Sequence, residues 1–333
     1  MKPIVDRLPK DQILAELTKD KLIRTTNNGN NEVYVFKGNA SPSLMHEVGR
    51  VREITFRHAG GGTGNEIDID EFDIDNKNPH TQLIVWDPEN QEIIGGYRVF
   101  YQQDHQRSYD ISNLASSHYF HFSEKFLSKY YPHLMELGRS FVHPDYQSRA
   151  NGRKSLYALD NLWDGLGALV IDNPRIKYLF GKVTMYPHFN QKARDMIIYF
   201  LRKHFNDPDN LVTPIDPANI DSDETEMKLL FKSRRYKYNY KTIFRIKSYK
   251  DDYKVLSQEV RRLNETIPPL INAYMNLSPT MRTFGTFINH KFGDVEETGI
   301  MITLRDIYVE KINRHLASYN KDYDMDWFSC HNQ

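Results

Sequence analysis

Met135-Glu136-Leu137-Gly138-Arg139-Ser140-Phe141-Val142-His143-Pro144-Asp145-Tyr146-Gln147, followed by Ser148-Arg149-Ala150-Asn151-Gly152-Arg153, decides how this chain is read. The first part is a strand that carries a carboxylate and a guanidinium. It runs into a turn at His143-Pro144-Asp145 and a short loop, and a helix starts near Lys154. Backbone N–H groups point outward at a helix N-terminus, and the helix dipole favours negative charge there. A strand, a donor-rich loop and a helix start therefore make a site for a ligand that carries phosphate.

The rest of the chain has ordinary composition. Of its 333 residues 39% are hydrophobic and 26% charged, and the formal net charge is zero, so nothing global points to nucleic acid. The single cysteine, Cys330, excludes an internal disulfide framework and fits a reducing, cytosolic location. Met1-Lys2-Pro3-Ile4-Val5-Asp6-Arg7 is no signal peptide, and no window is apolar enough to span a bilayer. The 21 tyrosines suit an apolar cavity or a core equally well.

Outward from the central strand, strands and helices alternate, which makes the class mixed α/β. Upstream, Asp11 to Leu22 has helical spacing and Thr25 to Asn31 is a polar loop. Glu32-Val33-Tyr34-Val35-Phe36 is a strand, and Pro42 to Phe56 is an amphipathic helix capped by Ser41 or Ser43. Gly60-Gly61-Gly62-Thr63-Gly64 is a flexible loop that lacks the Lys-Ser/Thr of a nucleotide P-loop. Asp68 to Asp75 is acidic but lacks the glycine and distal glutamate of an EF-hand, so no metal is expected. Gln82 to Trp86 and Glu92 to Tyr101 are strands, and Phe122 to Tyr131 is a short helix. Downstream come a helix at Leu156 to Val170, a strand at Tyr178 to Met185 and a helix at Gln191 to Phe205. Asn206 to Glu226 is an acidic, Pro- and Asp-rich loop. Lys228 to Lys250 then holds nine basic residues and no acid, interleaved with aromatics. Such a run is a solvated face or a docking surface for an acidic carrier protein or an anionic membrane. A helix at Tyr253 to Leu263 follows, and Pro268-Pro269 open another. Strands near Thr283 to Ile288 and Gly299 to Thr303 and a helix at Leu304 to Tyr319 complete the pattern.

Two sets of residues resemble a known family. Arg52-Glu53-Ile54-Thr55-Phe56, Asp70-Glu71-Phe72-Asp73, Arg98 within Gly95-Gly96-Tyr97-Arg98-Val99-Phe100, and Glu136-Leu137-Gly138-Arg139 follow each other as in the acyl-homoserine-lactone synthases of the GNAT superfamily. Glu136 to Tyr146 joined to Ile267-Pro268-Pro269-Leu270-Ile271-Asn272-Ala273-Tyr274 is closer to the bacterial ornithine-lipid and glycine-lipid N-acyltransferases, a group often labelled hemolysin. The resemblance covers roughly Val48 to Leu316. It implies the GNAT fold, a mostly antiparallel, centrally splayed sheet with helices on both faces. The chain itself reads as an N-terminal extension at 1–40, one acyltransferase domain at 41–320 with a charged insertion near 206–250, and a tail at 321–333.

The implied reaction moves a long, 3-hydroxylated or plain acyl chain from acyl carrier protein, or from acyl-CoA, to the amine of a small amino acid. Glycine is preferred over ornithine, and the product feeds an amino-acid-containing membrane lipid. No cofactor is bound permanently, and no nucleic acid takes part. The place of work is the cytoplasm, at the inner membrane surface if Lys228 to Lys250 docks there. The chemistry needs a base for the ammonium proton and donors for the oxyanion. Glu136 is nominated as the base with Arg139 beside it in the catalytic group, and Glu136 equally suits a structural ion network. Arg52, Phe56, Asp70, Asp73, Arg98 and His143 are the acceptor-binding candidates. The arginines shape the pocket or bind the acceptor carboxylate, because a guanidinium keeps its proton. His143 reads as a turn cap before it reads as a catalyst, and His188 is a minor candidate for proton relay. Gln147, Arg149, Ala150, Asn151, Gly152 and Arg153 form the expected donor-phosphate loop, in which Ala150 replaces the first glycine of the family pattern. Two rivals stand beside this reading: an acetyl-CoA-dependent N-acetyltransferase, and a non-enzymatic lytic or membrane-binding protein.

Overall fold

A computed structural model describes residues 1–75, 77–102, 110–147, 153–215, 240–244, 248–316 and 319, with only the backbone of 153–156 and 241. Its frame is an eight-stranded sheet. The strands are β1 (Leu22–Thr25), β2 (Glu32–Lys37), β3 (Thr81–Asp87), β4 (Glu92–Tyr101), β6 (Leu134–Val142), β7 (Tyr178–Met185), β9 (Arg282–Asn289) and β10 (Val295–Thr303). Their order is β1-β2-β3-β4-β6-β7-β10-β9, and each neighbouring pair is antiparallel except β6 with β7. Two short strands, β5 (Phe120–Phe122) and β8 (Val212–Pro214), form a separate ribbon.

Alternation along the strands divides the core. Val33, Leu83 and Val85 enter one cluster with α5 (Arg153–Asp172) and α6 (Gln191–His204). Tyr34, Phe36, Ile84 and Trp86, their neighbours in sequence, enter another with α1 (Lys10–Glu16) and α2 (Pro42–His58). Successive side chains on a strand point to opposite faces, so the sheet carries helices on both. The helix α2 starts with Pro42 in its first turn and ends with Arg57 and His58 in its last, as the helix dipole prefers. A third cluster, aromatic, is built from Phe120, Phe126, Phe180, Phe284 and Phe287 beneath β5 and β8.

Several expected boundaries are corrected. The first helix stops at Glu16, and Leu22 to Thr25 is a strand that pairs with β2 through a turn at Thr26–Asn31. Residues 1–40, expected as an extension, therefore supply two strands of the sheet. Phe122 belongs to β5, and α4 (Glu124–Lys129) starts after its cap Ser123. Part of the segment expected to be an acidic loop is strand β8, paired to β5. The strand expected at Gly299 to Thr303 begins four residues earlier, so it contains Glu296 and Glu297. The last helix begins at Val309, after a 3-10 turn at Leu304–Asp306. Lys228 to Lys250 lies mostly outside the described residues. Within it are the short α7 (Tyr240–Ile243) and the start of α8 (Tyr249–Arg262). The Pro268-Pro269 pair opens α9 (Pro269–Met275) as expected, and α10 (Val309–Leu316) closes the series. Cys330 and 321–333 lie outside the described residues. Among the described residues no helix is long and apolar enough to cross a membrane.

Candidate active site

The parallel pair β6–β7 holds register only from Leu134↔Tyr178 to Leu137↔Gly181. Beyond that the strands part, although β7 continues to Met185 and β6 to Val142. Gly181 stands at the point of parting, where a Cβ would lie 2.7 Å from the Leu137 carbonyl oxygen. A cavity of about 750 Å³ occupies the gap, and Gly138 to Val142 and Gly181 to Thr184 both line it. Leaving β6 unpaired on one side exposes backbone donors and acceptors to whatever enters.

A bulge in β6 sets what faces the cavity. From Gly138 to Phe141 is three steps on β6, while the partner residues Arg98 and Gly96 are two steps apart on β4. Arg139 takes a positive φ of 47° at this point. The extra residue reverses the alternation. Leu137 packs in the cluster beneath α5 and Phe141, four residues on, in the cluster beneath α2. The Arg139 side chain is thereby turned toward the acidic segment after α2.

Arg139 Nε lies 2.9 Å from Asp68 Oδ2, its Nη2 3.3 Å from Asp70 Oδ2, and its guanidinium 5.0 Å above the Phe292 ring. Arg98 Nη1 reaches Asp70 Oδ1 at 2.5 Å and Asp73 Oδ2 at 3.2 Å. Arg52, wholly buried, reaches Asp73 at 3.0 Å and donates to Gln82, whose amide donates back to Asp73 at 2.9 Å. Asp70 and Asp73 also form a capping box around the one-turn helix α3 (Glu71–Ile74). Three acids of the Asp68 to Asp75 run thus meet three guanidinium groups. Burial alone would raise the Asp73 carboxyl, yet Arg52 and Arg98 hold it below the ordinary range. Burial raises Asp68 in spite of Arg139 and Arg52. Burial also works against the charge on Arg98, and Asp73 and Asp70 more than offset it, so its pKa is raised.

Glu136 lines the cavity on the same strand. Its Oε2 and Oε1 accept the backbone N–H groups of Ala115 and Ser116, each at 2.9 Å. This fixes the 3-10 turn Ala115–His118, which brings His118 and Tyr119 to the cavity wall. His80 lines the same end, stacked on Phe100 at 4.9 Å. Burial, then Arg98, pushes its pKa down to about 3, so it is neutral. Its Nε2 is 2.8 Å from the Asn113 carbonyl oxygen, which only accepts, so Nε2 carries the proton and Nδ1 the lone pair.

The opposite wall comes from β7, β9 and β10. Lys182 Nζ lies 2.8 Å from Glu297 Oε2 and 4.2 Å from the centre of the Tyr119 ring, which stacks on Phe287 at 4.7 Å. Asn289 Nδ2 donates to Glu297 Oε2 at 3.0 Å, and the Thr184 hydroxyl approaches Oε1 at 3.4 Å. None of Lys182, Glu297, Asn289, Tyr119 or His80 was singled out from the sequence. The available signal was a lone lysine in the apolar run Tyr178 to Met185.

The other end of the cavity is apolar. Val142, Ala158, Leu159, Pro268, Pro269, Leu270 and Ile271 line it with Tyr97 and Tyr274. Burial pushes both phenols up, so they are neutral there. The rise at Tyr274 comes from burial first and then from the neighbouring Tyr97.

The 3-10 turn Pro144–Tyr146 follows β6. His143 caps it, with Nδ1 accepting the Asp145 N–H at 3.2 Å, and does not line the cavity. Gln147 lines the cavity and donates to the Val142 carbonyl. Arg149, Ala150, Asn151 and Gly152 lie outside the described residues, and of Arg153 only the backbone, at the start of α5, is described. Of the other expected residues, Phe56, Asp70, Arg98, Glu136 and Arg139 line the cavity, while Arg52 and Asp73 stand behind that wall. His188 is exposed beside Tyr186.

Residues 51–154 match the acetyltransferase (GNAT) domain family. A glycine N(alpha)-acyltransferase of Phocaeicola vulgatus is 51% identical over 324 residues, covering 97% of this chain and 95% of that protein. A glycine N(alpha)-acyltransferase of Bacteroides thetaiotaomicron is 49% identical over 322 residues, covering 96% of this chain and 91% of that protein. No solved structure matches the chain. With such likeness over nearly its whole length, and with a splayed, mostly antiparallel sheet around a polar-to-apolar cavity, the chain belongs to the GNAT N-acyltransferases, in the family of these two relatives.

Proposed function

We propose that this enzyme transfers a long acyl chain from the phosphopantetheine thioester of acyl carrier protein to the amine of glycine. The acceptor rests on one observation, near-half identity to two glycine N(alpha)-acyltransferases across almost the full length of both partners. The cavity supports it, since its charged end suits a small zwitterion and its apolar end a hydrocarbon chain. The thioester arm lies between β6 and β7, where the strands part.

In the reaction the glycine nitrogen attacks the thioester carbonyl carbon, the C–N bond forms and the C–S bond breaks. The ammonium proton goes to a base and the thiolate leaves to be protonated. Glu136 is that base: it lines the cavity, and each of its oxygens keeps a lone pair beyond the one held by a backbone N–H. The product feeds an amino-acid-containing membrane lipid. Lys228 to Lys250, with nine basic residues and no acid, docks the acidic carrier protein or the anionic inner membrane surface, and the enzyme works in the cytoplasm.

Mass spectrometry of lipids from cells expressing the wild type beside Glu136→Gln tests the proposal. An N-acyl glycine in the wild type alone is expected. The same product from both variants removes Glu136 as base, and no new lipid from either, with both proteins folded, removes the long-chain reading. Purified enzyme given glycine with acyl carrier protein thioester or acyl-CoA separates the donors.

A further inference from the structure

We infer that Lys182, Glu297 and Asn289 form the subsite that grips the acceptor as a zwitterion, Lys182 taking its carboxylate and Glu297 with Asn289 its amino group. This rests on the amino-acid reading above and assigns a place to each end of that ligand.

A zwitterion asks for both charges within one ligand length, and a cavity that supplied only one would leave the other desolvated and unpaired. Lys182 and Glu297 provide both. They come from neighbouring strands, Lys182 opposite Gly299 and Glu297 opposite Thr184, which makes them diagonal neighbours on one face. Lys182 follows Gly181, the last residue paired to β6, so the pair sits where the cavity opens.

Both partners keep unused capacity. An ammonium has three N–H donors, and Lys182 uses one on Glu297 Oε2 while its charge rests over the Tyr119 ring. Glu297 Oε2 already receives Lys182 and Asn289, but among the described residues Oε1 has only the long 3.4 Å approach of the Thr184 hydroxyl. The Asn289 amide orientation is fixed, because Nδ2 donates to a carboxylate and a carboxylate only accepts. Its Oδ1 is therefore correctly placed as an acceptor, and it is buried with no hydrogen-bond partner among the described residues. A buried acceptor left empty costs free energy unless a donor arrives. An amino group beside Glu297 supplies that donor.

The guanidinium groups across the cavity are poorer anchors. Arg98 is tied to Asp70 and Asp73, and Arg139 to Asp68 and Asp70, so a carboxylate there meets the acids that already hold them.

Steady-state kinetics with a long-chain acyl donor at saturation test the subsite, using glycine and its carboxylate-free analogue glycinamide. Lys182→Met is expected to raise the glycine KM at least about tenfold, leave the donor KM unchanged and leave glycinamide within about twofold, with partial recovery in Lys182→Arg. Glu297→Gln and Asn289→Leu are expected to raise the KM of both acceptors. An equal loss on glycine and glycinamide in Lys182→Met, or a glycine KM unchanged by it, overturns the carboxylate assignment. Wild-type enzyme gives a second measure that needs no variant: glycine is expected to exceed glycinamide at least about tenfold in kcat/KM, and equal values overturn the subsite. If the wild type acylates neither compound but does acylate another amine, the acceptor reading fails and this subsite fails with it. Failure in Lys182→Met alone, with wild-type glycine transfer intact, leaves that reading standing.

Discussion

The two walls of the cavity carry charge in opposite ways. On the β4–β6 side, Arg52, Arg98 and Arg139 interlock with Asp68, Asp70 and Asp73 across four segments of chain. The deepest pair, Arg52 with Asp73, is wholly excluded from solvent. On the β7–β10 side a single lysine meets a single glutamate, and an amide oxygen nearby has no hydrogen-bond partner among the described residues. The difference separates two uses of the same chemistry. An interlocked network of ion pairs holds the acidic segment to the sheet, and a lone ion pair keeps donors and acceptors for something that is not protein.

Removing a cation from each wall in turn separates these two uses. Arg52→Met takes one of two guanidinium partners from the buried Asp73, leaving Arg98, and is expected to cost about 3 kcal/mol in urea unfolding. A loss under about 1 kcal/mol means that the network is not what holds the segment. Gly181→Ala strikes the junction of the walls. The added methyl meets a carbonyl oxygen at 2.7 Å and is expected to cost about 1 to 3 kcal/mol while lowering turnover; an unchanged unfolding midpoint shows that the strands part with room to spare.

His80 gives a smaller, pH-dependent effect. Its folded pKa of about 3 lies below the ordinary 6.5, so between those values the unfolded chain binds the proton and the folded one does not. The contribution is therefore complete above about pH 6.5 and is lost as pH falls toward 3, at up to about 1.4 kcal/mol per unit. Unfolding free energies at pH 6.5 and 5 should show a shallower fall in His80→Phe than in wild type. Equal slopes exclude His80 as a source of acid sensitivity. The smallest effect belongs to the lone ion pair: Lys182→Met leaves Glu297 the Asn289 amide and is expected to cost about 1 kcal/mol, and a loss like that of Arg52→Met makes it a structural pair after all.

How much of this was legible in sequence follows from distance along the chain. Glu136, Gly138 and Arg139 fall in one run, and the β-branched and aromatic runs Val33 to Phe36 and Gln82 to Trp86 declare strands, so the class and the central strand could be read directly. The acid–guanidinium wall was visible as a set of residues through family resemblance, although its pairing was not. The opposite wall was not visible. Residues 119, 182, 289 and 297 lie on one turn and three strands, and only the antiparallel register of β7, β10 and β9 brings the last three together. Strands β1, β5 and β8 have three or four residues each, too short for a period to emerge, and exist because a partner strand completes their hydrogen bonds.

The bulge at Arg139 has a consequence for how this protein tolerates change. A strand with two covered faces assigns each residue by parity, and the extra residue switches that parity midway along β6. Substitutions act on one position at a time, but loss of a single residue next to Arg139, Gly138 or Ser140, would exchange one covered face for the other along this part of the strand. Arg139 would no longer face the acids, and Phe141 would leave the core beneath α2. The length of this stretch is therefore as much a part of the active site as its side chains, and a scan of single-residue deletions along β6 would reveal a boundary that a substitution scan passes over.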